Sequence, residues 1–213
     1  MVDVVIVGAG GFGREVYRWV ADALPRDQHR IKGFLSNQPK DLDGHAIEQP
    51  ILGDPEAYDV QPHDRYVFAI GDIAAKKRLV ESLQRRGARF LSVIHPTAIV
   101  ASSAHVGEGV VVCPFALVSD NAVLEDFVML NFFASCGHDA VIGKYSILSP
   151  YATVNGFSVL ADEVFMGTHA TVTARRHVGR AAQISANSAS MHDVPPRTLV
   201  HGVPGRHSSI FVT

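Results

Sequence analysis

From Ile94 to Ala189 large apolar residues return at every sixth position without a slip. Cut at Ile94, the stretch reads as sixteen hexads, from IHPTAI and VASSAH through CGHDAV to ISANSA. The first position is Ile, Leu or Val in fourteen of them, with Cys136 and Met166 completing the set. The fifth is Ala, Ser or Val in every hexad but one, where Arg176 stands. A helix requires apolar spacing near 3.6 and a half-buried strand a spacing of two, so this period excludes both. Uninterrupted hexads predict a parallel β-helix. Three hexads close one triangular coil of eighteen residues, so the sixteen make a little over five coils. Each hexad supplies a short strand and a corner, and coils stack about 4.8 Å apart. The large first residue fills the interior, and the fifth must be small because two inward side chains share each strand. Columns of this kind wind left-handed, against the usual crossover rule. The spacing alone does not set that hand.

Residues 1–91 have a different rhythm. DVVIVG is a short apolar strand, followed by a glycine-rich turn and a helical pattern through REVYRWVADAL. RIKGFL predicts a second strand ending at Ser36 and Asn37, and SNQPKDLDGHAIEQP reads as loop. RYVFAIG predicts a third strand ending at Gly71. DIAAKKRLVESLQRRG predicts an amphipathic helix with Gly87 at its carboxyl cap, and ARFLSV a last strand. Alternating strands and helices predict a small parallel α/β sheet. The expected fold class is thus an α/β, Rossmann-like domain over residues 1–91, then a left-handed parallel β-helix over 92–213. In the tail, Pro195, Pro196 and Pro204 exclude a regular helix, so it is expected to close the open end of the column.

Composition narrows the function classes. A net charge of −2 provides no basic excess for nucleic acid. No apolar run approaches a membrane span, and the start, MVDVVIVGAGG, lacks the basic region of a signal peptide. Only two cysteines occur, Cys113 and Cys136, the latter in an interior slot, so a disulfide framework is not expected and the cytoplasm is the expected location.

Two places carry candidate chemistry. The run G-A-G-G-F-G, from Gly8 to Gly13, matches a dinucleotide-binding pattern between strand and helix. A nicotinamide site also wants Asp or Glu at the end of the second strand, where this chain has Ser36 and Asn37. Three readings stay open: a dinucleotide, glycines that only permit a tight turn, and a single nucleotide or sugar phosphate with its diphosphate at the helix N-terminus. Ligands of such sheets gather at the carboxyl ends of strands. That places Gly11, Phe12, Gly13, Ser36, Asn37 and Gly71 around one crevice. The second place is His138, third in its hexad and so at a corner. Counting eighteen in each direction stacks it between Asp120 and Gly156. Asp139 is positioned to orient its imidazole, which can take a proton near neutral pH. The Gly156 N–H, with no side chain in the way, can hold an oxyanion. Asn131, seven residues before His138, offers a polar group on the same face. Against this stands the count of eleven histidines, most of which are expected to be inert.

The segments VIVGAGGFGREV, FAIGD, IHPTAIV, GHDAVIG and DVPPRTLVHGVPGR, in this order, cover nearly the whole chain. Through them it resembles the bacterial hexapeptide acyltransferases that acetylate amino sugars on nucleotide carriers, a group that includes sialic acid O-acetyltransferase relatives. The resemblance implies that His138 is a general base with Asp139 as its acidic partner. It also implies acetyl-coenzyme A along the prism between neighbouring subunits, with contacts at Ile147, Gly156, Thr168 and Ala186. A nucleotide-linked amino sugar would sit at the glycine turn. Departures from the family pattern are Phe12, where many relatives have His, Ser36 and Asn37 in place of an acidic pair, and Thr168 and Ala186.

The sixth hexad position points outward yet is often apolar, giving columns Val111–Met129–Ile147–Phe165 and Val123–Val141–Val159. Such columns call for burial, and a three-sided prism suits a closed ring. A homotrimer with sites between subunits is therefore expected. The leading expectation is an N-acetyltransferase that uses acetyl-coenzyme A and needs no metal. Alternatives are sugar O-acetylation, a zinc hydratase of the carbonic anhydrase type, which needs three converging histidines, and a non-catalytic sugar-binding scaffold.

Overall fold

The apolar run at the start folds as β1 (Val2–Val7), whose last four residues are buried. In the computed structural model, which describes residues 1–209, the chain divides into two units, Met1–Pro96 and Thr97–Thr213. In the first unit β1 is followed by α1 (Gly11–Ala23), β2 (His29–Leu35), β3 (Ile51–Gly53), β4 (Asp64–Phe68) and α2 (Ile73–Arg85). The strands form one parallel sheet in the order β3-β2-β1-β4. Its core joins Val4, Val5, Ile6, Phe34, Tyr66 and Val67 to Val16 and Val20 of α1 and Leu79, Val80 and Leu83 of α2. The apolar residues of each helix recur at helical spacing, and Asp72 caps α2, its Oδ1 accepting from the Ala75 N–H at 2.7 Å.

Two local readings differ from the sequence. The segment read as loop ends at Pro50, and directly after it comes β3, a strand the sequence reading leaves unassigned, which pairs with β2. The expected strand ARFLSV reduces to a single bridge, Tyr66 to Phe90, and the two-residue β5 (Val93–Ile94). Phe90 sits with its ring near those of Tyr66 and Phe68, so its apolar character serves side-chain packing more than ladder formation.

Lys76 lies on the buried face of α2 and is 1% exposed. Desolvation lowers its pKa to about 7. In the unfolded chain it titrates near 10.4. Between those values the unfolded state binds the extra proton, so stability falls as pH drops from about 10 to 7, by up to about 1.4 kcal/mol per pH unit. Urea denaturation at pH 7 and pH 10 is expected to show this slope in the native chain and its loss in Lys76→Met. Equal slopes in the two proteins would refute it.

In the second unit each hexad yields one two-residue strand, β6 (Ile99–Val100) through β21 (Ala189–Ser190), made of its outward sixth residue and the next interior first residue. Strands pair in parallel with those three further on, as in Val123 with Val141 and Leu124 with Ile142, a step of eighteen residues. Three sheets result, with strand orders β6-β9-β12-β15-β18-β21, β7-β10-β13-β16-β19 and β8-β11-β14-β17-β20. The architecture is a β-solenoid of left-handed β-helix type. First and fifth positions fill its interior, including Leu124, Ile142, Leu160, Ala140 and Val164. Arg176, the exception at the fifth position, has its Nε buried with no hydrogen-bond partner among the described residues. Cys113 and Cys136 are both buried, and burial pushes the Cys136 thiol up to about 12.

The fourth position makes the corner. From Phe115 to Asn187 it lies in the left-handed region in every hexad, with φ between 51° and 65°. Hydrogen bonds between coils hold it there, as where Phe157 N–H donates to His138 C=O at 3.0 Å. After β21, β22 (Thr198–His201) adds a parallel strand beside β20, and β23 (Arg206–Ser209) turns back against it. The tail thus extends one sheet by a hairpin, with Val200 joining the interior.

One expectation is corrected. Val111, Met129 and Ile147 point outward from the coils but are already 2%, 3% and 4% exposed within the single chain. These three are covered, whereas Phe165 of the same column and Val123, Val141 and Val159 of the other stay part-exposed. More open apolar residues of the prism include Ile99 and Leu117, neighbours in one sheet, and Phe115, Phe133 and Tyr151 at one corner.

Candidate active site

His138 occupies the turn between β12 (Ser135–Cys136) and β13 (Val141–Ile142), and its side chain is about half exposed. The chain can turn there because Asp139 adopts φ 56° while donating its N–H to Asp120 C=O at 2.9 Å. The Asp139 carboxylate lies 2.9 Å from His138 Nδ1. A carboxylate accepts from the ring nitrogen that carries the proton, which leaves Nε2 with its lone pair available. One coil on, Gly156 lies so close that a Cβ there would stand 2.6 Å from Nε2. No acceptor pairs with the Gly156 N–H among the described residues, whereas the equivalent N–H groups of Glu108 and Lys144 donate to Asp126 and Asp162. Phe157 meets the imidazole edge-on at 5.0 Å, and the Arg175 guanidinium lies 4.4 Å from the centroid of the same Phe157 ring. A basic nitrogen and an unpaired backbone donor are thereby held side by side at an open corner.

The other expected residues of the prism lie apart from this pair. Asn131 is in the turn before β12, and its Oδ1 accepts from the Phe132 N–H at 2.8 Å. Ile147 is a buried strand residue. Thr168 and Ala186 stack on a different corner, with Asn187 N–H donating to Thr168 C=O at 2.9 Å. On that corner the fourth-position rings of Phe115, Phe133, Tyr151 and His169 form a continuous ladder, with centroids 5.0, 4.9 and 4.7 Å apart. The ladder was not anticipated, though aromatic residues eighteen apart at one hexad position give it away. Among the described residues no three His, Cys, Asp or Glu side chains converge as a metal site.

In the first unit a crevice of about 410 Å3 opens at the carboxyl ends of all four strands. Gly8, Ala9 and Gly10 after β1, Ser36 and Asn37 after β2, Asp54 after β3 and Ala69 and Ile70 after β4 line it, together with Asp41 and Arg78. Of the expected residues, Ser36 and Asn37 are brought there. Gly11, Phe12, Gly13 and Gly71 are not among its walls. Phe12 packs edge-on against Trp19 instead. Gly13 is buried where a Cβ would come 2.1 Å from Gly8 C=O, so it sets the closeness of α1 to β1.

Comparison with known proteins agrees with this architecture. Residues 3–83 match the PglD N-terminal domain. A curated relative, UDP-N-acetylbacillosamine N-acetyltransferase of Bacillus subtilis, is 34% identical over 116 residues. That match covers 53% of this chain and 51% of the relative, about half the length of each. The acetyltransferase domain of PglB from Neisseria gonorrhoeae is 25% identical, with a TM-score of 0.89 over 98% of this chain and 100% of that one. The same domain has been solved with acetyl coenzyme A, at 25% identity and a TM-score of 0.88 over 97% of this chain and 98% of that one. PerB from Caulobacter crescentus, solved with CoA and GDP-perosamine, is 24% identical and shares the fold, with a TM-score of 0.87 over 98% of both chains.

A PglD-type α/β domain followed by a hexapeptide prism is the build this chain shares with the Neisseria acetyltransferase domain. The PglD-type amino-terminal domain, the curated relative and the structural neighbours support a sugar acetyltransferase family.

Proposed function

We propose that this protein moves an acetyl group from acetyl-coenzyme A to the amino group of a nucleotide-linked amino sugar, in the cytoplasm. The observation that carries the reading is the pairing of His138 Nε2, left basic by Asp139, with the unpaired N–H of Gly156. The amine attacks the thioester carbonyl carbon directly. His138 takes the proton from the attacking nitrogen, the Gly156 N–H stabilises the oxyanion, and collapse breaks the C–S bond. The coenzyme A thiolate then leaves with the proton that His138 returns. Support comes from the Bacillus relative, named for such a transfer, and from the Neisseria domain solved with acetyl coenzyme A. The test is incubation with acetyl-coenzyme A and a panel of UDP-, GDP- and dTDP-linked 4-amino sugars, with products read by mass. Acetylated amine with release of free thiol is expected. Transfer only to hydroxyl acceptors, or to none, overturns the reading.

The active assembly we propose is a homotrimer with each site shared by two subunits. Thr168 and Ala186, on a corner away from His138, would then meet the coenzyme held at the His138 corner of the neighbouring subunit. The exposed Ile99, Leu117, Phe115 and Phe133 supply apolar surface for such contacts. Sedimentation at micromolar concentration is expected to give three times the chain mass, and a stable monomer would sink the assembly.

A further inference from the structure

Where an acidic residue is expected to hold a ribose, at the carboxyl end of β2, this chain carries Ser36 and Asn37. The fold brings a carboxylate to that place from further along the chain. Asp41, in the loop after β2, lines the crevice, and its Oδ2 accepts from Ser36 Oγ at 2.7 Å. Ser36 Oγ is itself fixed, accepting from the Gln38 N–H at 3.1 Å. Arg14 Nη1 donates to the Asp41 carbonyl at 3.4 Å, tying the loop to the first turn of α1. Among the described residues Asp41 Oδ1 has no hydrogen-bond partner. The other carboxylates of the crevice are arranged differently. Asp54 closes its own turn by accepting from the Glu56 N–H, and Glu56 pairs with Arg78 at 3.2 Å. Both follow β3, two strands from the glycine turn after β1.

We propose that Asp41, held by Ser36, is the ribose-binding residue of this crevice, and that the sugar carrier is a ribonucleoside diphosphate in preference to a 2′-deoxyribonucleoside diphosphate. The proposal rests on the reading above that a nucleotide carrier occupies this crevice. A part-buried carboxylate with one oxygen anchored and one unpaired accepts from a ribose 2′-hydroxyl. A deoxyribose presents no donor there and leaves the oxygen desolvated and unpaired. The position is reached through a hydrogen bond across five residues, so it takes over the role of the missing acid at the strand end.

Calorimetric titration of the full chain with matched pairs, UDP against 2′-deoxy-UDP and GDP against 2′-deoxy-GDP, tests this. With the base that binds, the ribo form is expected to bind about tenfold or more tighter. Asp41→Asn is expected to weaken that ratio to about twofold or less, with deoxy binding and thermal unfolding close to native. Ser36→Ala is expected to reduce the ratio and Ser36→Thr to keep it, since only the latter retains the hydroxyl that orients the carboxylate. Equal binding of the two sugars by the native chain, or a preference that survives Asp41→Asn, overturns the assignment while leaving acetyl transfer intact. Failure of every nucleoside diphosphate to bind overturns it together with the nucleotide-sugar reading.

Discussion

Replacing His138 with alanine is expected to lower turnover at saturating substrates by about a hundredfold to ten-thousandfold, the range that positioned general bases supply. Acetyl-coenzyme A binding, measured by calorimetry, is expected to stay within a few fold, because the imidazole serves the incoming amine. The thermal midpoint should stay near that of the native protein. The ring is about half exposed, and its side-chain contacts are with Asp139 and the edge of Phe157. Asp139→Asn is the informative companion. It keeps the shape and removes the charge that stabilises protonated His138, so activity should fall less than in the alanine variant. A His138→Ala enzyme with near-native turnover would end the general-base mechanism.

Gly13→Ala is expected to do its harm without touching chemistry. A methyl group there would stand 2.1 Å from the Gly8 carbonyl oxygen and 2.7 Å from its carbon, both backbone atoms that no rotamer can move aside. Helix α1 must lift off β1, opening the contact between Val16 and Val20 and the strand core. A cost above about 3 kcal/mol is expected, in the range of severe overpacking. Gly10→Ala is the control, because nothing lies within 4 Å of a Cβ at Gly10. Thermal denaturation of the two variants should separate them clearly. If both unfold at the native temperature, Gly13 does not set the helix–sheet spacing.

These two residues also show how far the sequence reaches. His138 and Gly156 were legible because an eighteen-residue step is a geometric rule that any interior of repeated Ile, Leu and Val enforces, and the fold stacks them as counted. The period tells which way a side chain points. It does not tell what lies over that side chain, which is why Val111, Met129 and Ile147 read as open surface but are covered. In the α/β unit the glycine pattern marked a turn that lines a crevice, yet it could not separate glycines that form its wall from one that packs a helix. Gly10 and Gly13 differ only in what stands opposite them. Asp41 was out of reach for a related reason. Its place beside Ser36 is set by how an irregular loop folds back, and no local propensity encodes that closure. β3 escaped because three residues are too few to display a period.

The left-handed corners have a consequence for how such a column can come into being. Each non-glycine residue there gives up about 1–2 kcal/mol relative to a relaxed backbone, and the prism asks this of every hexad from Phe115 to Asn187. A lone turn of the spiral has no neighbour to hold its bends, so it cannot persist in solution. Order must spread from rung to rung, each laid down on one already set, as in other stacked-repeat proteins. Deleting eighteen residues from the middle should therefore leave a shorter, sound spiral, whereas deleting six should turn every later side chain onto the wrong wall.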